Sequence, residues 1–338
     1  LSPRSVARSG SHSAAVKYGL CPPIPIGEVI DAYAGRRFTD AEGLRDVERG
    51  STDRRRTDLR NAYELAHNRA EGRPVEVGLC TPRPILQPCS LEGHTYQVDP
   101  YIGCEHDCRY CYAQNDAEVD WSRQILIHRD LRQRLALELE AVEPQSIYMG
   151  MNSDPYQPVE ERRLQTRAVL ELLAERGFTV CVLTKSPLIA RDLDLLRRMA
   201  DPYLGFSIAF QDENARRRFE GNAPPNEARL EALKALRNAG IRTYVLICPV
   251  MPEITDVEAI LETVAPLVEH VYVYRLRMKA ETDANWRSLE PILRAHDPEL
   301  VDRYRRIAFQ EGDPYWRSLS ARLRDLPLPD GVELSIEL

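Results

Sequence analysis

The chain has no apolar run of the roughly 18 to 20 residues that a membrane-spanning helix needs. Its first residues place Arg4, Arg8 and Lys17 among serines and lack the apolar stretch of a secretory signal, so a cytoplasmic location and no membrane partner are expected. Excess positive charge is also missing: 45 Lys and Arg stand against 52 Asp and Glu, a net charge of −7. That balance excludes a protein that coats nucleic acid by phosphate neutralisation alone, while leaving room for a local basic groove. No internal repeat is visible. Cysteines number eight, yet no two C-x2-C units occur in the tandem spacing of a structural zinc site.

What is present is a large apolar fraction, 43% of 338 residues, enough for one sizeable core with appendages. Residues 1–90 read as an Arg-rich, partly ordered N-terminal extension. It has a Pro-rich turn at Cys21-Pro22-Pro23-Ile24-Pro25 and a helix expected over 54–69. Arg54-Arg55-Arg56 and their neighbours interleave with Asp53, Asp58 and other acids, the pattern of a solvated face. From residue 91 to 279 the pattern changes. Short β-branched or aromatic runs at 146–150, 179–183, 203–210, 243–248 and 271–274 alternate with helical periodicity at 129–142, 164–176, 187–200, 226–239 and 256–267. Adding a strand just before Cys104 makes six strand-helix units, and such alternation implies an α/β fold of parallel strands with helical crossovers. Residues 280–338, with Trp286, Tyr315 and Trp316, read as a mainly helical C-terminal cap.

The chemistry concentrates at Cys104-Glu105-His106-Asp107-Cys108-Arg109-Tyr110-Cys111. Three thiolates within eight residues can wrap one metal centre, and a closed tetrahedral site needs four ligands, so one position stays open. Soft sulfur ligands select zinc or an iron-sulfur cluster. A [4Fe-4S] cubane held by three Cys leaves its fourth iron open to an exogenous ligand. The competing zinc reading would recruit His106 or a distant Cys. A disulfide reading fits poorly with thiols so close together in a chain without a secretory signal.

The register C-x3-C-x-aromatic-C, with Tyr110 at the aromatic position, resembles the signature of the radical S-adenosylmethionine enzymes. The flanks Asp99-Pro100-Tyr101-Ile102-Gly103 and Tyr112-Ala113-Gln114 are similar to the subgroup that contains spore photoproduct lyase and its DNA repair photolyase-like relatives. So are Asn152-Ser153-Asp154-Pro155-Tyr156-Gln157-Pro158 and Thr184-Lys185-Ser186. The resemblance runs over about 95–275. It implies a partial (β/α)6 barrel, a [4Fe-4S] cluster on Cys104, Cys108 and Cys111, and S-adenosylmethionine cleaved to a 5′-deoxyadenosyl radical that abstracts hydrogen. It also implies a reduced electron donor such as flavodoxin or ferredoxin. By the same resemblance Tyr110, Ser153, Lys185 and Ser207 match cofactor-contacting positions, and Tyr110 and Tyr112 match tyrosines of a hydrogen-transfer relay.

Ligands of parallel α/β folds sit beyond the carboxyl ends of strands, which is where Ser153, Lys185, Ser207, Arg275 and Arg277 fall. A cofactor carboxylate needs a cation, and Lys185 supplies one. One departure stands out: Met151 occupies the place of the subgroup's hydrogen-donating Cys, and a thioether has no S–H to give. Cys248, at the end of the fifth strand, is the thiol expected to replace it, because Cys181 lies mid-strand and about 13 Å deeper. Cys21, Cys80 and Cys89 are loosely spaced candidates for a second cluster. Three functions remain in view: radical chemistry on a nucleic-acid base or nucleotide, the same chemistry on a small metabolite or peptide, and a metal-stabilised nucleic-acid-binding module using the Arg-rich segment.

Overall fold

The computed structural model describes residues 75–310 and 312–338. The helix expected over 54–69, the arginines around it and Cys21 lie outside the described residues. From Val75 onward the chain is already part of the fold, so the last portion of the expected extension contributes two strands, β1 (Glu76–Leu79) and β2 (Leu86–Pro88).

The strand anticipated before Cys104 is in fact two. Pro100, which lacks an N–H, separates β3 (Tyr96–Val98) from β4 (Tyr101–Ile102). β3 enters the main sheet, whereas β4 joins β5 (Gln124–Ile127) and β1 in a small side sheet of order β1-β5-β4. Then follow α1 (Leu131–Glu138), β6 (Ser146–Met149), α2 (Glu160–Arg163), α3 (Gln165–Glu175), β7 (Thr179–Thr184), α4 (Leu193–Leu196) and β8 (Tyr203–Ser207). The core closes with α5 (Glu213–Phe219), α6 (Asn226–Asn238), β9 (Arg242–Val250), α7 (Val257–Val264) and β10 (His270–Arg275).

The main sheet has the order β11-β10-β9-β8-β7-β6-β3-β2. Its six central strands, β3 and β6 to β10, pair in parallel, which is the strand set of a partial (β/α)6 barrel. Among the described residues β2 and β11 do not pair with each other. The C-terminal part is mainly helical, with α8 (Ala284–His296), α9 (Pro298–Ile307) and α10 (Pro314–Arg324). It ends in β11 (Glu333–Glu337), which adds to the sheet in parallel beside β10, so this region is more than a cap.

Period-two alternation decides which side chains reach the site. Ile147, Met149, Val180, Val182, Leu204, Phe206, Val245, Ile247, Val271 and Val273 turn outward into the layer of helices. The intervening residues face inward, where Tyr148, Cys181 and Tyr244 pack with Leu183, Tyr203 and Tyr272. Gly205 makes that packing possible: a Cβ there would lie 2.1 Å from the Tyr244 ring, which crosses β8 to bring its hydroxyl 3.7 Å from the Cys181 sulfur. Continuing the inward register to the strand ends places Lys185, Ser207 and Cys248 side by side above this plug.

Candidate active site at the cysteine loop

Three separate pieces of chain hold the cysteine loop. From the side following β6, Gln157 donates to Gly103 O at 3.0 Å and accepts from Glu105 N at 2.9 Å, while Glu105 accepts from Val159 N at 2.5 Å. From the turn after α5, Phe219 O accepts from Arg109 N at 2.8 Å and Asn222 N donates to His106 O at 3.0 Å. From within, Gln114 on the short helical turn Tyr112–Gln114 donates to Cys108 O at 2.7 Å. The C-terminal helices close the far side, because Cys108 and Tyr110 pack in one apolar cluster with Phe210, Phe219, Trp286 and Tyr304.

Cys104 and Cys108 are buried, Cys111 is half-buried, and all three are free thiols. Burial raises each thiol, Cys108 to about 12, so metal binding here must displace protons. The charge of Lys185 acts on Cys108 in the opposite sense, as more weakly does that of Arg229, while Glu220 and Cys111 add to the rise. The donor set therefore fits a thiolate-ligated metal group. Among the described residues no three His, Cys, Asp or Glu side chains converge as one ion would require. A cubane does not need such convergence, since it takes each Cys on a different iron.

Asp154 anchors the strand ends to the loop. Its carboxylate accepts from Thr184 Oγ1 at 2.6 Å, Lys185 N at 2.7 Å and Tyr156 N at 2.9 Å. It also lies 3.3 Å from His106 Nδ1, an ion-pair distance without hydrogen-bond geometry. Burial works to raise this carboxyl, but the His106 contact and the hydrogen bonds from Thr184 and Lys185 outweigh it and hold it at about 2. Asp99 does similar work one strand away, accepting from Asn152 N at 3.1 Å and Asn152 Nδ2 at 2.7 Å.

Most of the side chains expected at the site meet there. Lys185 Nζ donates to Ser207 Oγ at 2.8 Å, and Ser207 Oγ donates to the Cys248 carbonyl at 3.3 Å, tying three adjacent strand ends together. Lys185 also lies 6.0 Å above the Tyr110 ring. Ser153 is buried and its hydroxyl donates to Tyr101 O at 2.8 Å. Tyr112 is 52% exposed at the mouth and its hydroxyl donates to Met151 O. Arg277 is exposed, and its charge acts on Cys248.

Cys181 does not reach this group and stays in the tyrosine plug. Cys80 is buried with its sulfur 3.3 Å from His128 Nδ1, whereas Cys89 packs against the cluster of Tyr148, Cys181 and Tyr244, so the two occupy different surroundings. Sequence reasoning missed Glu220 and Arg229, both fully buried beside Lys185 and Tyr110.

The chain is similar to known proteins in sequence and in fold. The model of the Radical SAM superfamily matches residues 98–264. An uncharacterized protein of Methanocaldococcus jannaschii is 31% identical over 202 residues, covering 59% of this chain and 76% of the relative. One from Mycobacterium tuberculosis is 32% identical over 229 residues, covering 63% of this chain and 66% of the relative. Among solved structures, a spore photoproduct lyase variant with bound AdoMet and dinucleoside spore photoproduct superposes with a TM-score of 0.56 at 15% identity. That match covers 83% of this chain and 94% of the other. A second variant gives 0.57 at 14% identity over 92% and 94%. At such identities the structural likeness establishes the fold alone. The family match and the archaeal relative go further: the chain belongs to the radical SAM superfamily, enzymes that use S-adenosylmethionine and an iron-sulfur cluster.

Proposed function

We propose that this enzyme holds a [4Fe-4S] cluster on Cys104, Cys108 and Cys111 and reductively cleaves S-adenosylmethionine there. The abstracted hydrogen would come from a nucleic-acid base or nucleotide. The observation that carries the reading is the meeting of three free thiols, two of them buried, with Lys185, Ser207 and Ser153 at the carboxyl ends of the parallel strands. When bound, cluster and cofactor together supply a carbon-centred radical able to take hydrogen from an unactivated carbon.

The chain's own residues bind and exclude. Lys185 offers an ammonium to the cofactor carboxylate, Ser207 fixes that ammonium, and Ser153, whose hydroxyl donates to Tyr101 O, still has its oxygen lone pairs to accept with. Tyr110 walls the loop against the C-terminal helices and keeps water from the reacting atoms. Arg277 and the exposed Tyr112 ring suit a phosphate and a base at the mouth, and solved relatives of this fold carry a dinucleoside. A reduced flavodoxin or ferredoxin would deliver the electron. No described helix is long and apolar enough to cross a membrane, and a cytoplasmic location suits the free thiols.

Anaerobic reconstitution tests the reading. About four irons per chain and release of 5′-deoxyadenosine on reduction are expected; one zinc and no cleavage would overturn it in favour of a metal-stabilised binding module. The substrate class is tested with thymine-lesion oligonucleotides. Absence of both binding and deuterium transfer into 5′-deoxyadenosine would move the substrate to a small metabolite or peptide, the reading that Met151 favours.

Cys248 is the proposed hydrogen donor. It lies two residues before the end of β9, which runs on to Val250, and its carbonyl accepts from Ser207; burial raises its thiol to about 11, so the S–H bond is intact at neutral pH. Cys248→Ala is expected to leave 5′-deoxyadenosine formation in place while product formation slows. Equal product yield from the variant would remove Cys248 from the mechanism.

A further inference from the structure

Four consecutive residues where α5 ends, Phe219 to Asn222, do two jobs at once. Phe219 O, Asn222 N and Asn222 Nδ2 hold the backbone of the cysteine loop, the last by donating to Glu105 O at 3.1 Å. Gly221 lies so close that a Cβ would come within 2.9 Å of Asp107 O, at a φ of +45°. Between them Glu220 points into the site with no exposure to solvent, accepting from Tyr110 OH at 2.5 Å and from Arg229 Nη2 at 2.5 Å, and standing 3.7 Å from Lys185 Nζ. Arg229 spends three more donors on carbonyls, Ser207 O at 2.8 Å and Pro224 O at 2.7 Å and 3.0 Å. Four of its five N–H donors are thus committed within the protein, and its side chain is fully buried.

Lys185 differs. Its hydrogen bond to Ser207 Oγ occupies one of three N–H donors, and Glu220 sits beyond hydrogen-bond reach but within ion-pair range.

Resting on the functional reading above, we propose that Glu220 is a positioning residue. Through its charge it holds the Lys185 ammonium over the Tyr110 ring, where the carboxylate of S-adenosylmethionine arrives, and the same turn fixes that point relative to the cluster cysteines. Arg229 keeps Glu220 in place. Without the Glu220 charge, Lys185 would share a buried site with Arg229, and like charges there push the ammonium out of its position or out of its charged form.

The test uses reconstituted full-length protein, with iron content measured first. Glu220→Gln keeps the volume and an acceptor for Tyr110 while removing the charge. It is expected to retain the wild-type iron content and to bind S-adenosylmethionine about tenfold more weakly, with Glu220→Asp recovering part of the loss. Decarboxylated S-adenosylmethionine, which has nothing for Lys185 to hold, should bind wild type and Glu220→Gln equally. Lys185→Met should show the same selectivity, and the double variant should be no worse than Lys185→Met alone. Equal weakening of both cofactor forms, additive losses, or loss of iron in both Glu220 variants would each make Glu220 a scaffold residue and overturn the inference. A wild-type protein that neither holds iron nor cleaves the cofactor would instead defeat the functional reading itself.

Discussion

Cys108→Ala should reduce reconstituted iron from about four per chain to less than one and abolish release of 5′-deoxyadenosine, while the protein stays folded. The two halves of that expectation have different causes. Iron is lost because the loop supplies three thiolates and the remaining two cannot retain a cubane whose fourth position must stay open to a ligand. The fold persists because Cys108 contributes one small side chain to a cluster built on Tyr110, Phe210, Phe219 and Trp286. Removing a sulfur there costs on the order of 1 kcal/mol. The loop backbone is held independently by Gln157, Gln114 and the 219–222 turn. Iron analysis and cofactor cleavage, set against thermal denaturation of the iron-free forms, check both halves. A variant that kept wild-type iron and cleavage would show that the cluster sits elsewhere; one that failed to fold would show that the thiol is structural.

Five of the six parallel strands were legible because each is a short run of β-branched and aromatic residues between helical periodicities, as at Thr179–Thr184 and His270–Arg275, whereas the sixth was expected beside Cys104 and lies at Tyr96–Val98. β11 was not legible: Glu333-Leu334-Ser335-Ile336-Glu337 alternates in the manner of a half-exposed edge, and only the place where the preceding helices deliver it puts it beside β10. The segment 187–200 has helical periodicity, yet only Leu193–Leu196 is α-helical. Residues 187–192 tighten into a 3-10 turn around the buried Asp192, which Arg167 and Arg191 both hold.

At the site, the cysteines were legible from their spacing, and Lys185, Ser207 and Cys248 because strand ends in a parallel fold are where ligands bind. Glu220 and Arg229 were not. An arginine on an amphipathic helix and a glutamate at a helix end read as solvated charges. Nothing local reveals that Ser207 O, Pro224 O and Tyr110 OH converge on them from as far as 110 positions away.

Asp154→Asn should destabilise the fold by about 2–4 kcal/mol at neutral pH and weaken S-adenosylmethionine binding as well. The carboxylate serves Thr184 Oγ1, Lys185 N and Tyr156 N and faces His106; an amide of the same shape must turn its NH2 toward one donor set and leave a buried N–H without an acceptor. Binding suffers with stability because Lys185 N is one of the groups released, so the ammonium at the end of that side chain loses its fixed root. The pH dependence carries a definite sign. A carboxyl at about 2 in the folded state, against an ordinary 3.8, stabilises the fold fully above the ordinary value and loses that contribution as pH falls from about 4 toward 2. The difference corresponds to roughly 2 kcal/mol. Wild type and Asp154→Asn should therefore differ most in denaturant midpoint at neutral pH and draw together below pH ~4. A gap that stays constant down to pH ~2 would show that shape alone, and not the charge of Asp154, joins the cysteine loop to the strand that bears Lys185.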